Sequence, residues 1–421
     1  MLATLANSVR IPDIRKKLLF TAAMLAIYRI GAYIPAPGIN TDAVSELQQF
    51  SGSDVLGFLN LFSGGSLSRF AIFALGIMPY ITASIILQLL TVVVPSLEKL
   101  RKEGEVGQQK ITQYTRYLTV GLAFFQSIGY VFLFRSFESG GQDIVNGFTF
   151  GRVFVIVSTL TAGTILIMWL GELITQRGIG NGISLMIFAS IVSGLPNGIQ
   201  QWWTNPDQIF KVMMPFMALA IIAAIVFMQE GQRRIPVQYA KRVVGRRMSG
   251  GGQTYLPLRV NMAGVIPVIF AASLMAFPPT IGELLQSEGA RNFSAFFSPN
   301  GWAYIVGESI LIILFTYFYT AVTFNPVEQA DNLKKYGGFI PGVRPGRPTA
   351  EFLDRILARL TFPGALYLAA VAALPTILIN QTSANFFFGG TSILIVVGVA
   401  LDTMKQLEAQ LMMRNYEGFL K

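Results

Sequence analysis

The sequence predicts an all-α, polytopic membrane protein in which ten transmembrane helices form two related halves of five. Composition is the first indication, because 52% of the 421 residues are hydrophobic and only 13% are charged, a balance typical of membrane proteins. Ten apolar segments approach the roughly 20 residues that a helix needs to cross a bilayer. Two short sequence segments also recur in the second half of the chain, in the same order as in the first.

The apolar segments set the ten predicted spans. Spans five and ten are short. The spans lie near residues 18–34, 70–94, 117–134, 153–170, 181–195, 213–229, 261–281, 304–324, 360–379 and 388–404.

The recurring segments divide the chain into halves, 1–210 and 211–421. The octapeptide GIMPYITA at 76–83 returns as GVIPVIFA at 264–271, and GISLMI at 182–187 matches GTSILI at 390–395. The pairs fall in spans two and seven and in spans five and ten, so each half holds five spans. Because five is odd, the second half enters from the opposite side and the halves are inverted. Inverted repeats place a substrate path at the interface between halves, near mid-membrane.

Basic residues predict the orientation of the chain. Of 32 Lys and Arg, 26 lie on the side of the N-terminus, 5 lie on the other side, and Arg29 lies within the first span. This asymmetry predicts that both termini are cytoplasmic. Half of the cytoplasmic basic residues lie in two loops, 230–259 and 325–359. These loops are either topology determinants alone or also a docking surface for an acidic or nucleic-acid-bearing partner, since their length exceeds what orientation requires.

Composition also excludes most catalytic chemistry. The sequence has no histidine and no cysteine, which removes Ser-His and Cys-His nucleophiles, thiol redox chemistry and almost every zinc or copper site. A carboxylate pair would still suit a membrane protease, but the acids well inside apolar segments, Glu308 and Asp402, have no evident second acid. We therefore predict that the chain is not an enzyme and uses no cofactor or metal.

The segment at 54–69, between spans one and two, is too short to cross a membrane. Its apolar residues suit one or two helical turns, and Gly64 and Gly65 end the helix. It is either an amphipathic surface helix or a re-entrant half-helix, which is tolerated at membrane depth only where protein or a wet cavity surrounds it. The inverted repeat favours the second interpretation, because a cavity between the halves would accommodate the segment.

Segments along the whole chain resemble one family. Residues 60–81, NLFSGGSLSRFAIFALGIMPYI, look like the plug and second span of SecY, the protein-conducting channel. Further segments agree in order: RIG at 29–31 with IPAPG at 34–38, GIGNGIS at 178–184, QRRIPVQYAKR at 232–242, NMAGVIP at 261–267 and PGVRPG at 341–346. The resemblance runs from the first span to the last, apart from the outer loops at 138–146 and 283–299.

The resemblance implies an hourglass pore whose waist is closed by a ring of apolar side chains. These side chains are Ile77, Ile81, Ile183, Ile187, Ile269 and Ile395. Branched alkyl groups offer no hydrogen bonds, so water and ions lose hydration at a cost while an extended polypeptide passes. Judged without the resemblance, each isoleucine would instead face lipid or a packed neighbour.

The resemblance also implies a plug and a lateral gate. The plug is the helix within 57–67, resting against the ring and formed by Gly57, Phe58, Leu59, Asn60, Leu61, Phe62, Ser63, Gly64, Gly65, Ser66 and Leu67. The gate lies between spans two and three and spans seven and eight, with Gln88, Asn261, Ser273 and Phe277 as its candidate residues. We predict a hydrogen bond of about 1 kcal/mol between Gln88 and Asn261, weak enough for a signal sequence to open the gate.

The implied function is a gated channel in the bacterial cytoplasmic membrane. It would pass unfolded secretory and nascent polypeptides and release apolar segments sideways into the lipid bilayer, with SecE and SecG as small membrane subunits. The two basic loops resemble docking surfaces for the motor ATPase SecA and for the ribosome, whose carboxylates and RNA phosphates suit arginine. The docking candidates are Arg233, Arg234, Lys241, Arg242, Arg246, Arg247, Arg344 and Arg347.

Two other classes of protein remain open from the residues. An inverted-repeat secondary transporter also explains ten spans and a midplane site, but it should carry ionisable residues at its centre. This sequence has isoleucines at its symmetric midpoints. A structural membrane scaffold is the third interpretation, which the basic loops alone do not exclude.

Overall fold

The structure of the chain is a computed structural model. It describes residues 11–40, 60–135, 138–139, 142–143, 148–204, 208–239, 242–244, 247–249, 253–275, 289, 296, 301–382 and 390–418. The main helices of this part are α1 (Pro12–Gly31), α2 (Met78–Val93), α3 (Pro95–Lys102), α4 (Glu105–Arg135), α5 (Phe150–Arg177), α6 (Gly182–Thr204), α7 (Gln208–Glu230), α8 (Ile266–Met275), α9 (Trp302–Thr323), α10 (Pro326–Lys335), α11 (Arg347–Thr382) and α12 (Gly390–Gly418). Its strands are β1 (Glu138–Ser139), β2 (Gln142–Asp143), β3 (Gln232–Tyr239), β4 (Arg242–Val244), β5 (Arg247–Ser249), β6 (Gln253–Arg259) and β7 (Gly338–Phe339).

Each predicted span contains a helix, and α3 and α10 are the short helices that follow spans two and eight. Within the described residues, α5, α6, α7, α9 and α11 are long and apolar enough to cross a membrane on their own. The pair α2 and α3, bent by 98°, is a sixth candidate. Spans five and ten, which are short in the sequence, form helices of 23 and 29 residues.

Span two begins later than predicted. Residues 70–77 form turns, and α2 starts only at Met78. Phe70 and Gly76 both have positive φ angles, 45° and 58°, which interrupt any helix there. The prediction that span two starts at residue 70 was therefore wrong, because apolar residues in a buried turn have the same hydropathy as residues in a span.

The repeated segments fold alike. Gly76 and Gly264 have φ angles of 58° and 63°, and a helix begins two residues after each. In both copies the carbonyl that follows the glycine accepts hydrogen bonds from the amides three and four residues later, at 3.1 and 3.2 Å. In the second pair, Gly182 and Gly390 are each the first residue of a helix. The recurrence is thus a repeat of backbone structure and not a chance match of composition.

The core lies where the helices converge. One central cluster of buried side chains draws on α1, α2, α5, α6, α7, α8, α9, α11 and α12. A second cluster packs α4 and α5 against the turns before α2, and includes Phe70, Phe134 and Leu160. The described helices therefore surround one apolar centre.

The two basic loops join in one β-sheet, which the sequence analysis did not predict. Strands β3 and β6 pair antiparallel, and β7 from the second loop pairs with β3, giving the order β6-β3-β7. Ile235 and Val237 of β3 are buried and alternate with exposed residues, as expected for a strand with one covered face. They pack with Phe324 and Leu353 at the ends of the neighbouring helices. We call β3, β6, β7, α10 and the start of α11 the sheet body.

Candidate pore, plug and gate

The six predicted pore isoleucines meet at the centre of the molecule. Ile77, Ile81, Ile187, Ile269 and Ile395 are buried members of the central cluster, and Ile183 is partly buried against it. They lie at or just before the starts of α2, α6, α8 and α12, the four helices whose first turns contain the repeated segments. The five buried isoleucines do not face lipid, and their burial agrees with the other part of the alternative, in which they pack against neighbouring side chains.

The predicted plug segment is packed inside the protein. Gly57, Phe58 and Leu59 lie outside the described residues, whereas residues 60–62 are helical and 63–67 form turns. Leu61 and Phe62 belong to the same central cluster as the isoleucines. The interpretation of this segment as an amphipathic surface helix is therefore wrong.

Two glycines end the helical part of this segment, as predicted. Gly64 and Gly65 have φ angles of 66° and 82°, in the left-handed region that glycine adopts without a steric cost. Side chains then hold the turn: Asn60 Oδ1 accepts from Ser68 N at 2.9 Å, and Ser66 Oγ donates to Ser63 O at 2.7 Å. The polar groups of this buried turn are thereby satisfied without a regular helix.

A short backbone bridge closes the loop that carries the plug segment. Ala36 N donates to Phe70 O, and Ile72 N donates to Ile34 O, both at 2.9 Å. Phe70 is fully buried and meets the Phe134 ring edge-on, with centroids 4.7 Å apart. These contacts hold Phe70 at its positive φ angle, a conformation that costs an L-residue roughly 1–2 kcal/mol. The base of the loop is thus fixed, and Leu61 and Phe62 pack in the central cluster.

The predicted gate helices touch, but one predicted contact is wrong. Helices α2 and α8 pack together, and Ser273 Oγ lies 3.8 Å from Met78 Sδ. Gln88 and Asn261 do not bond to each other: Gln88 Nε2 donates to Ser84 Oγ at 3.2 Å, and Asn261 Nδ2 donates to Gly264 O at 3.0 Å.

Each of these two amide nitrogens therefore binds an acceptor close by in its own segment. Gln88 Oε1 and Asn261 Oδ1 are buried and have no hydrogen-bond partner among the described residues. The fourth candidate, Phe277, lies outside the part of the chain that the structure describes.

A contact between α3 and α9, the helices that follow α2 and α8, was missed by the sequence analysis. Arg101 of α3 donates from Nη2 to Val322 O, in the last turn of α9, at 2.7 Å. Basic side chains commonly bind the free carbonyls at helix C-termini. The sequence shows a basic residue near position 100, but nothing in it indicates a partner 221 residues away.

Arg29 and Glu308 were recognised in the sequence as ionisable residues within apolar spans, but their surroundings were not predicted. Arg116 binds Glu172 through two hydrogen bonds, of 2.9 and 2.6 Å, which join α4 to α5. Arg29 donates from Nη1 to Gly64 O at 2.9 Å, so it binds the plug segment. Glu308 is buried in α9, and its Oε1 has no hydrogen-bond partner within the described residues.

The predicted docking residues that the structure describes lie on or beside the sheet body, or in the separate pair of strands β4 and β5. Arg233 and Arg234 of β3 are exposed, as are Arg344 and Arg347. Arg344 lies between Gly342 and Gly346, whose φ angles are 83° and 105°. Of the other candidates, Arg242 and Arg247 lie in β4 and β5, and the remaining two, Lys241 and Arg246, are outside the described residues.

Comparison with known proteins decides the family. The sequence profile of the SecY family matches residues 71–404. The chain belongs to the SecY family. The protein translocase subunit SecY of Mycobacterium tuberculosis is 48% identical over the full length of both chains, and that of Corynebacterium glutamicum is 51% identical over 97% and 98% of the two chains.

Solved SecY and Sec61 structures share the fold. A protein-conducting channel aligns with a TM-score of 0.64 over 93% of this chain and 91% of its own, at 20% identity. Sec61 in the canine ribosome-channel complex aligns with a TM-score of 0.61 at 18% identity over the same fractions. The chain is therefore a helical, polytopic membrane protein with the fold of the SecY and Sec61 channels.

Proposed function

We propose that this SecY chain is the gated channel through which unfolded secretory polypeptides cross the membrane and from which apolar segments leave sideways into lipid. The observation that carries the proposal is the convergence of six isoleucines from α2, α6, α8 and α12 on one apolar centre, against which residues of the plug segment pack. Two of these helices lie in residues 1–210 and two in 211–421, so the halves contribute the ring together.

A ring of branched alkyl side chains allows a polypeptide to pass and opposes the passage of ions. It provides no hydrogen bonds to replace lost hydration, so it opposes ions while the plug is seated, yet it yields to an extended chain that displaces the plug. A secondary transporter needs ionisable groups at this place, and the side chains that the four helices of the repeated segments bring together there are isoleucines. The geometry therefore favours the channel over the transporter.

The lateral gate in this proposal is the boundary between spans two and three (α2 and α4, with α3 between them) and spans seven and eight (α8 and α9). Contact at Ser273 lies near the pore isoleucines, because Ser273 is one turn beyond Ile269 in α8. Contact at Arg101 lies at the far end of the same boundary. Both contacts are weak enough for an apolar signal helix, which gains contacts of its own between the helices, to replace them.

The sheet body is the proposed cytoplasmic docking surface for SecA and for the ribosome. It brings exposed arginines from both basic loops onto one folded support. Two solved structures with this fold, canine Sec61 and yeast Ssh1, are bound to ribosomes. We further propose SecE and SecG as membrane subunits, with both termini of the chain on the cytoplasmic side of a bacterial inner membrane.

Cross-linking tests pore and substrate together. A photoreactive amino acid at position 77, 81 or 269 should cross-link to a secretory chain stalled in transit, because these side chains line the proposed waist. The same probe at Leu219 or Phe227, which are exposed on α7, is the matched control and should label lipid instead. Equal labelling of the stalled chain from both sets of positions would contradict the proposed path.

A further inference from the structure

We propose that the end of α1 is a clamp that holds the plug in its closed position, an inference that rests on the proposed plug function. The clamp consists of Tyr28, Arg29 and Tyr33, which contact the turn that follows the helical part of the plug segment. The sequence analysis predicted no partner for these residues, and Tyr28 and Arg29 each form a hydrogen bond with the plug turn.

Arg29 supplies the charged contact. Its Nη1 donates to Gly64 O at 2.9 Å, and its Nη2 lies 3.3 Å from Tyr33 OH. A guanidinium near the end of a membrane span is costly unless it is paired, and residues of this kind usually serve function. Here it binds a backbone carbonyl, so the contact exists only while Gly64 remains in place.

Tyr28 joins the turn to a third element. Its side chain is 1% exposed, and its hydroxyl lies 2.6 Å from Ser190 Oγ of α6 and 3.4 Å from Ser63 O. Its ring stacks on Phe73 with centroids 5.8 Å apart. A buried hydroxyl needs such partners, so withdrawing the plug turn changes the surroundings of a side chain that α1 and α6 already fix.

Gly64 fits the clamp because it has no side chain. A Cβ atom at this position would lie 3.0 Å from Arg29 Nη1 and 3.2 Å from Ser190 Cα. The next residue, Gly65, has a similar φ angle, but its Cβ would lie 3.6 Å from the nearest atom, Arg69 Nη1, at ordinary contact distance. The two glycines therefore differ in their contact with the clamp and not in backbone conformation.

Tyr33 holds the far side of the same turn. The guanidinium of Arg69 lies 4.1 Å from the centre of the Tyr33 ring, and that of Arg29 lies 5.3 Å from it. Both distances permit cation–π attraction. Tyr28 thus contacts residue 63 and Tyr33 contacts residue 69, so both ends of the plug turn are held by the clamp.

Substitutions that remove single clamp atoms test the proposal. Arg29→Gln and Tyr28→Phe should each raise the resting ion conductance of the assembled channel in planar bilayers, by about tenfold for Arg29→Gln, because a hydrogen bond to a charged group is lost. Both should also allow export of a reporter with a defective signal sequence. Arg15→Gln on the same helix and Tyr114→Phe on α4, which are exposed, should leave both readouts unchanged.

The glycine pair provides a second test that does not depend on Arg29. Gly64→Ala and Gly65→Ala impose the same backbone strain, so a clamp predicts a much larger leak from Gly64→Ala. Equal leaks from the two variants, or resting conductance unchanged by Arg29→Gln, would overturn the clamp. Substitution of the pore isoleucines by glycine is the reference: if that variant leaks and the clamp variants do not, the clamp fails and the channel stands, whereas no leak from either contradicts the proposed function itself.

Discussion

Isoleucine is well suited to the centre of this molecule because its β-branched side chain is both bulky and restricted in its rotamers. Five of the six ring isoleucines are buried among one another and their neighbours. Each removed side chain therefore leaves space that the stiff neighbours cannot refill. That property makes the ring testable by deletion of side chains.

Replacing Ile81, Ile187 and Ile269 together with glycine should make the channel leak ions while polypeptide export continues. The side chains that oppose hydrated ions are lost, whereas a polypeptide requires only that the path be open. Conductance in planar bilayers measures the leak. The matched control replaces three exposed isoleucines, Ile27, Ile222 and Ile310, with glycine, since it imposes a similar cost in helix propensity. A triple variant as impermeable as its control would refute the ring.

For single residues, the sequence predicted backbone conformation better than the hydrogen-bond partners of side chains. Gly64 and Gly65 end a helix as expected, because a glycine pair is a local signal. The predicted bond between Gln88 and Asn261 was wrong, because each amide found an acceptor three or four residues away. Arg29 was visible as a charge within a span, but its acceptor is a backbone carbonyl, which leaves no trace in the sequence.

The contact between α3 and α9 could not be predicted from the sequence of either helix. The chain bends by 98° between α2 and α3, which directs α3 toward the end of α9. Arg101 then binds a carbonyl that has no partner within its helix, and its positive charge suits the negative end of the helix dipole. We expect this contact to help keep the gate closed.

Arg101→Gln should lower the hydrophobicity that a signal sequence needs. An exposed charge at a helix C-terminus contributes about 0.3–1 kcal/mol, so export of a weakly hydrophobic signal should rise roughly two- to fivefold. Export rates for a series of signals of graded hydrophobicity measure the shift. Lys102→Gln is the control, because Lys102 pairs with Glu98 on α3 itself. An identical signal threshold in both variants would exclude a role for Arg101 in the gate.

At the level of elements, the strands of the sheet body were missed because the segment that forms them is basic. The segment QRRIPVQY alternates buried Ile235 and Val237 with exposed residues, a pattern typical of a strand with one covered face. The basic residues around it directed the sequence analysis to docking and orientation, and the strands went unpredicted. The partner strand β7 lies about 100 residues further along the chain, and pairing over that distance has no sequence signature.

Across the whole molecule, hydropathy predicted where the helices lie, and the internal repeat predicted two pairs of segments that fold alike. All ten spans contain helices, and the repeated segments share helix starts and hydrogen bonds. The errors lie where apolar residues do not form a span: the turns at 70–77 were included in span two. In a membrane protein the lipid-facing surface and the core are both apolar, so composition alone cannot separate the ring from the exterior.

The repeat is also asymmetric, because only its first copy contacts the turn of the proposed plug. Gly76 and Gly264 have nearly the same φ angle, but a Cβ at Gly76 would lie 3.3 Å from Ser63 Cα, whereas at Gly264 the nearest atom is Asp402 Oδ2, at 3.7 Å. Both substitutions by alanine should cost roughly 1–2 kcal/mol of backbone strain. Only the first should also push on the plug turn.

We therefore expect Gly76→Ala and Gly264→Ala to lower the thermal stability of the purified complex by similar amounts, and Gly76→Ala alone to raise resting conductance. Thermal unfolding and planar-bilayer recordings on the same preparations separate the two effects. A leak of equal size from both variants would mean that the turn before each gate helix, rather than its contact with Ser63, controls closure. The plug would then be held independently of α2, and the two halves would contribute equally to the seal.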